Sequence, residues 1–215
     1  MWPRKDSRER GIVGCSSEGT NEGLAHHLII MNKDDIAKHY STKHATDKAF
    51  SRGTALLKHI PEIAQLAREN HCESILDFGC GKALFWNSSL WKPIFNQSIK
   101  KLTLHDPYIA KYSKNPLDGP RHDMVVCTDV MEHVPEEDTD EFLKTLFKCA
   151  RRLVFMNIST VPAKKTFKDG TNLHINLKTE KEWTELINKH RVLAERKYNT
   201  NYRVVLRFDD QVGAR

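Results

Sequence analysis

Ile75-Leu76-Asp77-Phe78-Gly79-Cys80-Gly81-Lys82-Ala83 is the stretch that decides the fold. It reads as an apolar strand that stops at an acid and turns on two glycines into a helix. Glycine lacks a Cβ, so a ligand can approach the backbone closely at such a turn. A helix starting there directs free backbone N–H groups at whatever sits above it. A strand-turn-helix at the carboxyl end of a strand forms the nucleotide crevice of open α/β sheets. The nicotinamide fingerprint G-x-G-x-x-G fails at its third glycine, where Leu84 stands.

Outward from this stretch, residues 34 to 70 follow a helical pattern, with Ala55, Leu56, His59, Ile60, Ile63, Leu66 and Ala67 at near-helical spacing. Pro61 suits the first turn of the second of two helices there. Ser74–Phe78 is the first strand, and a helix from Lys82 to Leu90 is expected after the glycines. Leu102–Leu104 reads as a second strand ending at His105-Asp106-Pro107, Met124–Thr128 as a buried strand, and Leu153–Ile158 as another. Glu136–Ala150 is an amphipathic helix with Phe142, Leu143, Leu146, Phe147 and Ala150 on one face and acids in its first turn. Glu180–Lys189 is a further helix, and 191–198 with 202–208 forms a closing hairpin around Asn199-Thr200-Asn201. Strands alternating with helices predict a mainly parallel α/β sheet with helices on both faces and an antiparallel C-terminal hairpin strand. The division is a disordered, Gly- and Ser-bearing tail over 1–30, a helical segment over 31–73, the α/β domain over 74–209 and a tail over 210–215. Met31-Asn32-Lys33-Asp34-Asp35 reads as a natural start; peptides from residues 1–25 in native protein would refute that.

The chain has 215 residues, 39% hydrophobic and 29% charged, enough for one α/β domain with a sizeable core. No apolar run approaches the ~20 residues that span a bilayer, and no apolar signal core follows the N-terminal charges. Five scattered cysteines without a C-x-x-C pair argue against zinc or a disulfide framework and for a reducing cytoplasm. The net charge of +6 permits an acidic partner without demanding one. The basic pairs Lys100-Lys101, Arg151-Arg152 and Lys164-Lys165 read as a solvated face, and no aromatic-and-basic stripe supports nucleic acid.

The acid-x-Gly-x-Gly order Asp77-Phe78-Gly79-Cys80-Gly81 resembles the first motif of class I S-adenosylmethionine-dependent methyltransferases, with Ala83 where a third glycine often stands. Asp106, about 25 residues beyond Gly81, ends the second strand, where an acid can bind both hydroxyls of a ribose. Its other reading is a cap on the Asp106-Pro107 turn. A third segment, Asp123-Met124-Val125-Val126-Cys127-Thr128-Asp129-Val130-Met131-Glu132-His133-Val134-Pro135, leaves a strand onto a polar turn. Together with Val161-Pro162-Ala163-Lys164-Lys165 and Gly170-Thr171-Asn172-Leu173-His174, it resembles a bacterial and phage-type group of class I methyltransferases whose acceptor is not generally assigned. The resemblance covers about 40 to 208 and implies a Rossmann-like class I methyltransferase sheet that binds S-adenosyl-L-methionine. It places the cofactor on Gly79, Cys80 and Gly81, its ribose on Asp106, and its adenine or methyl group beside Cys127, Thr128 and Asp129. Asp77 would fix the turn or meet the methionine end.

The acid-x-x-Glu-His spacing of Asp129, Glu132 and His133 resembles the metal-binding segment of ubiquinone-pathway O-methyltransferases, which implies Mg²⁺ or another divalent cation. Alternatively Glu132 and His133 only shape the pocket. His174, in a loop with Asn172 after a strand, and His133 are candidate general bases. Lys164 and Lys165 could hold an anionic group on the acceptor or be solvated. Tyr40 and His44 are placed as a lid. The expected activity is methyl transfer to an oxygen or nitrogen of a small polar or sugar-like acceptor. A nicotinamide-dependent oxidoreductase and a non-catalytic nucleotide-binding protein of the same fold remain open.

Overall fold

The computed structural model describes residues 33–47, 50–190, 193–197 and 201–207. The expected tails and the tip of the hairpin lie outside the described residues.

In chain order the elements are α1 (Lys33–Thr46), α2 (Ile60–Glu69), β1 (Ser74–Phe78), α3 (Trp91–Ile94), β2 (Lys101–His105), β3 (His122–Thr128), α4 (Thr139–Cys149), β4 (Ala150–Ser159), α5 (Glu180–Asn188), β5 (Leu193–Lys197) and β6 (Asn201–Arg207). The six strands form one sheet in the order β2-β1-β3-β4-β6-β5. β1 pairs in parallel with β2 and β3, and β3 with β4. β6 runs antiparallel to both β4 and β5, so the hairpin slots its second strand against the parallel set and leaves β5 at the edge.

Side chains alternate across the sheet, and the alternation splits the core. Ile75, Met124, Val126, Leu153 and Phe155 face a layer built from α2 and the aromatic side chains of Trp86, Trp91 and Phe95. Leu76, Val125, Cys127, Val154 and Met156 face α4 and α5 on the other side. α2 opens with Pro61 in its first turn and buries Ile60, Ile63, Ala64 and Ala67, the spacing of one helical face. α5 begins with a capping box between Thr179 and Glu182, and buries Trp183 and Ile187 one turn apart. On α1, Ile36, Tyr40 and His44 recur every four residues and are buried, so this otherwise polar helix lays one stripe over Phe167 and Leu173.

The helix expected from Lys82 to Leu90 does not form. Turns carry the chain to the single-turn helix α3. Ala83 adopts φ 50°, outside the helical region. The amides of Lys82 and Leu84 bond to Ser51 O (2.8 Å) and Arg52 O (3.1 Å) rather than to carbonyls of their own turn. The left-handed backbone at Ala83 breaks the helical run, and burial of Trp86 and Phe85 holds the alternative path.

At the end of the sheet away from the glycine turn, Asp123 ties β1 to β3. It accepts from Glu73 N (3.0 Å), Ser74 N (3.1 Å) and Ser74 Oγ (2.9 Å), and Arg151 Nη1 lies 3.3 Å away. Burial alone would raise its pKa, but these donors and the two arginines hold the carboxyl below its usual range. Asp123→Ala should cost about 2 kcal/mol in urea unfolding at neutral pH. Because the folded-state pKa is depressed, that deficit should shrink as pH falls well below 3.8.

Candidate functional site

The carboxyl ends of β1, β2 and β3 open onto a cavity of about 410 Å³. Asp77, Gly79 and Cys80 line it from β1, Asp106 and Tyr108 from β2, and Thr128, Asp129 and His133 from β3 and the turn beyond. Tyr40 and His44 of α1 and residues 50–56 form the remaining wall, where the lid was expected.

The glycine turn is a closed structure. Its six amides from Gly79 to Leu84 are all bonded within the protein: Gly79 and Cys80 to His105 O, Lys82 to Ser51 O, Ala83 to Cys80 O, Leu84 to Arg52 O, and Gly81 to Asp106 Oδ2 at 2.9 Å. The glycines serve close approach of protein to protein. A Cβ on Gly79 (φ +93°) would lie 2.4 Å from Val130 Cγ2, and one on Gly81 would lie 2.4 Å from Ser51 O. No helix begins at the glycine turn, so the free helix N–H groups expected there from sequence are not found among the described residues. Gly81 itself is not among the lining residues.

Asp106 does cap its turn. Oδ1 accepts from Tyr108 N (2.9 Å) while Oδ2 holds Gly81 N, and both oxygens retain further lone pairs. Asp77 is buried and accepts from Trp86 Nε1 at 2.6 Å. Burial, partly offset by that bond and reinforced by Asp106, pushes its carboxyl up to about 7. Cys80 is buried with its thiol toward Gly81 O, and burial raises its pKa strongly. Cys127, expected beside the cofactor, instead points into the α4–α5 core and does not line the cavity; its position in β3 puts it on the wrong face.

The expected Asp129-Glu132-His133 triad is not the set that assembles. Asp129 accepts from Asn157 Nδ2, and its other oxygen lies 3.9 Å from Lys58 Nζ. His174 takes its place: potential ligand atoms of Glu132, His133 and His174 lie within 4.8 Å of one another. Glu132 is fully buried; Oε1 accepts from Ser159 N (3.2 Å) and Oε2 has no partner. Burial, then the nearby Asp129 charge, pushes its carboxyl up to about 8. The Nδ1 atoms of His133 and His174 lie 2.8 Å and 2.6 Å from the carbonyls of Leu173 and Val161. A carbonyl only accepts, so each Nδ1 carries the proton and each Nε2 keeps its lone pair. Burial lowers the His133 pKa to about 4. Of the three, His133 alone lines the cavity. Tyr40 donates to Leu173 O at 2.8 Å and lies 2.8 Å from His133 Nδ1, which fixes the ring from above.

The wall over residues 50–56 was not expected from sequence. Its signal is Gly53, whose φ of +68° and approach to Cys80 O allow no side chain. The basic pairs form no groove: Lys100 meets Glu73, Arg151 meets Asp123, and Lys165 lies 3.8 Å from Asp47. Lys164 makes no contact that defines a role. Among the described residues no helix is long and apolar enough to cross a membrane.

Gly79→Ala should lower stability by about 1–3 kcal/mol through its left-handed backbone and the Val130 clash. Adding Val130→Ala should recover the clash component in thermal unfolding and leave the backbone component.

No protein-family model and no curated protein sequence matches the chain. Solved structures do. DhpI in complex with S-adenosylhomocysteine is 14% identical over 81% of this chain and 95% of its own, with a TM-score of 0.54. The 1,6-didemethyltoxoflavin N1-methyltransferase of Burkholderia thailandensis, with its acceptor and S-adenosylhomocysteine bound, is 13% identical over 80% and 86%, with a TM-score of 0.54. The mitomycin 7-O-methyltransferase MmcR is 13% identical over 79% of this chain and 60% of its own, with a TM-score of 0.55. The sheet order, the antiparallel penultimate position of β6 and these likenesses give the chain the fold of class I S-adenosylmethionine-dependent methyltransferases.

Proposed function

We propose that the protein transfers a methyl group from S-adenosyl-L-methionine to an oxygen of a small polar acceptor. The observation that carries this reading is the closed glycine turn. A dinucleotide needs free amides for its pyrophosphate. Here every amide from Gly79 to Leu84 is taken, and three carboxylates, Asp77, Asp106 and Asp129, line the cavity. An acidic cavity without an anion cradle repels a pyrophosphate and favours a ligand bearing sulfonium and ammonium charges. The nicotinamide alternative loses its support on that ground.

The sulfonium supplies a methyl group already activated for displacement, so the chain's task is alignment and exclusion of water. Asp106 is placed to accept from the ribose hydroxyls with its unused lone pairs, and Asp77 faces the cationic end. The acceptor oxygen attacks the methyl carbon in line, the S–C bond breaks, and its electron pair stays on sulfur. The acceptor's proton leaves toward His133, whose ring borders the cavity and is held by Leu173 O and Tyr40. Tyr40, Phe50 and Tyr108 give the acceptor end aromatic faces, which suit a ring or sugar of modest size. His174, set back from the cavity, supports His133 rather than touching the acceptor.

Glu132, His133 and His174 also fit a divalent cation, as an alternative to proton transfer at His133, since both use the one Nε2 lone pair. One carboxylate oxygen without a partner and two imidazoles with Nδ1 bonded to backbone carbonyls make a donor set that holds transition metals well. An imidazole at about 4 is a weak base, yet it stays unprotonated, as a ligand must. A bound cation would lower the pKa of an acceptor hydroxyl and orient it.

Two measurements test these readings. Calorimetric titration should show micromolar binding of S-adenosylmethionine and S-adenosylhomocysteine and none of NADH; the reverse would overturn the assignment. Near pH 7 the first ligand should release protons, because its positive charge drives Asp77, half-protonated there, to ionise; Asp77→Asn should abolish that release. In thermal unfolding, Mn²⁺ or Zn²⁺ should raise Tm in native protein and not in Glu132→Gln. An equal shift in both would remove the metal site.

A further inference from the structure

We propose that Arg52 is the anchor for the carboxylate at the methionine end of the cofactor. The inference rests on the cofactor reading above and names a residue for the one part of that ligand the acids cannot hold. Among the lining residues Asp77, Asp106 and Asp129 are acidic, and Arg52 is the only side chain with a permanent positive charge. The methionine end carries one ammonium and one carboxylate. Asp106 serves the ribose, and Asp77 and Asp129 suit the ammonium and the sulfonium; none of the three suits a carboxylate. The amides of the glycine turn are bonded elsewhere and offer it no backbone cradle.

Arg52 is also mounted for this task. Its carbonyl accepts from Leu84 N at 3.1 Å, and its neighbour Ser51 accepts from Lys82 N at 2.8 Å. Gly53 lies so close to Cys80 O and Ala83 N that a Cβ there would sit 2.4 Å and 2.7 Å from them. The backbone of 51–53 is thus clamped on the glycine turn, while Arg52 lines the cavity, is exposed, and makes no ion pair with any described residue. Other cations in this part of the fold are engaged: Lys82 Nζ donates to Asp47 O at 2.8 Å, and Lys58 lies beside Asp129. A guanidinium presents paired N–H donors that match a carboxylate, which an ammonium does not.

The test uses the full chain and three ligands: S-adenosylhomocysteine, its carboxamide, which keeps the ammonium and loses the anion, and 5′-methylthioadenosine, which lacks the whole amino-acid end. By calorimetry, Arg52→Ala should weaken S-adenosylhomocysteine binding about tenfold to a hundredfold, the range of a charge-assisted pair. It should leave 5′-methylthioadenosine within twofold of native, which also shows that the site is folded. Native protein should lose a similar factor on passing from S-adenosylhomocysteine to the carboxamide, and Arg52→Ala should lose none. Arg52→Lys should fall between. Equal weakening of all three ligands by Arg52→Ala, or no weakening of any, would overturn the assignment while the cofactor reading stood. Native protein that binds neither S-adenosylhomocysteine nor 5′-methylthioadenosine would overturn both.

Discussion

The Asp106 carboxylate, shared between Gly81 N and Tyr108 N, is the tie on which the site depends. It joins the turn after β1 to the turn after β2, and it does so from a buried position. With Gly81 turned inward, the next amides reach Ser51 O and Arg52 O, and the segment ahead of α2 is drawn down over the turn. Two glycine approaches lock that arrangement, because neither Gly53 nor Gly81 has room for a Cβ. The wall of the cavity, the position of Arg52 and the absence of a helix after the glycines all follow from this one packing solution. A turn with its donors exposed would be an anion site; a turn with its donors consumed is a shaped surface whose charge comes from side chains alone.

That charge is under-compensated. Asp77 and Glu132 are pushed up to about 7 and about 8, chiefly by burial. His133 and His59 are pushed down to about 4 for the same reason. Both carboxyls cost stability as pH rises from their ordinary range toward those values, since the folded protein then resists losing the proton. The two imidazoles cost stability as pH falls, since the folded protein resists gaining one. A fold does not keep such groups for their own benefit; perturbed groups at a cleft are a mark of function. A positively charged ligand in the cavity would relieve Asp77, which lines it, and this is the electrostatic reason for proposing a sulfonium cofactor over a phosphate-bearing one.

The strands were legible because a buried parallel sheet needs short apolar runs, and Ile75–Phe78, Met124–Thr128 and Leu153–Ile158 are such runs. The antiparallel hairpin was legible for the same reason, together with its turn residues. The helix after Gly81 was misread because local pattern cannot show that Ala83 will turn left-handed where the chain packs under Ser51 and Arg52, some 30 residues earlier. Cys127 was misplaced although the information was present: period-two alternation along β3 sets it with Val125, toward α4, and away from the cavity. Glu132 and His133 were found as neighbours in sequence. His174 joins them only through the fold of the loop, where Leu173 O meets His133 and Val161 O meets His174. Residues 50–56 were read within a helical stretch on the spacing of Ala55 and Leu56, and that pattern marks apolar positions, not a polar Arg52 beside a glycine.

The two ends of the cavity are therefore built by different rules. The proposed cofactor end is made by strand ends, the turns that follow them and the segment over 51–53 clamped on the glycine turn, so its geometry is largely inherited from the sheet. The proposed acceptor end is bordered by α1, which is tied to the loop over 161–176 behind it through a single phenol: Tyr40 donates to Leu173 O, lies within bonding distance of His133, and stacks near Tyr108 at 5.6 Å. Neither part contributes a strand. Substitutions there can reshape the acceptor end without disturbing sheet register, which is the property expected of loops that carry specificity on a rigid scaffold. The same phenol holds the ring whose lone pair belongs to the Glu132-His133-His174 cluster. In the proposed reaction, positioning of the acceptor and positioning of His133 are thus set by one contact, so a change in α1 that moves Tyr40 would alter both at once while the glycine turn stays in place.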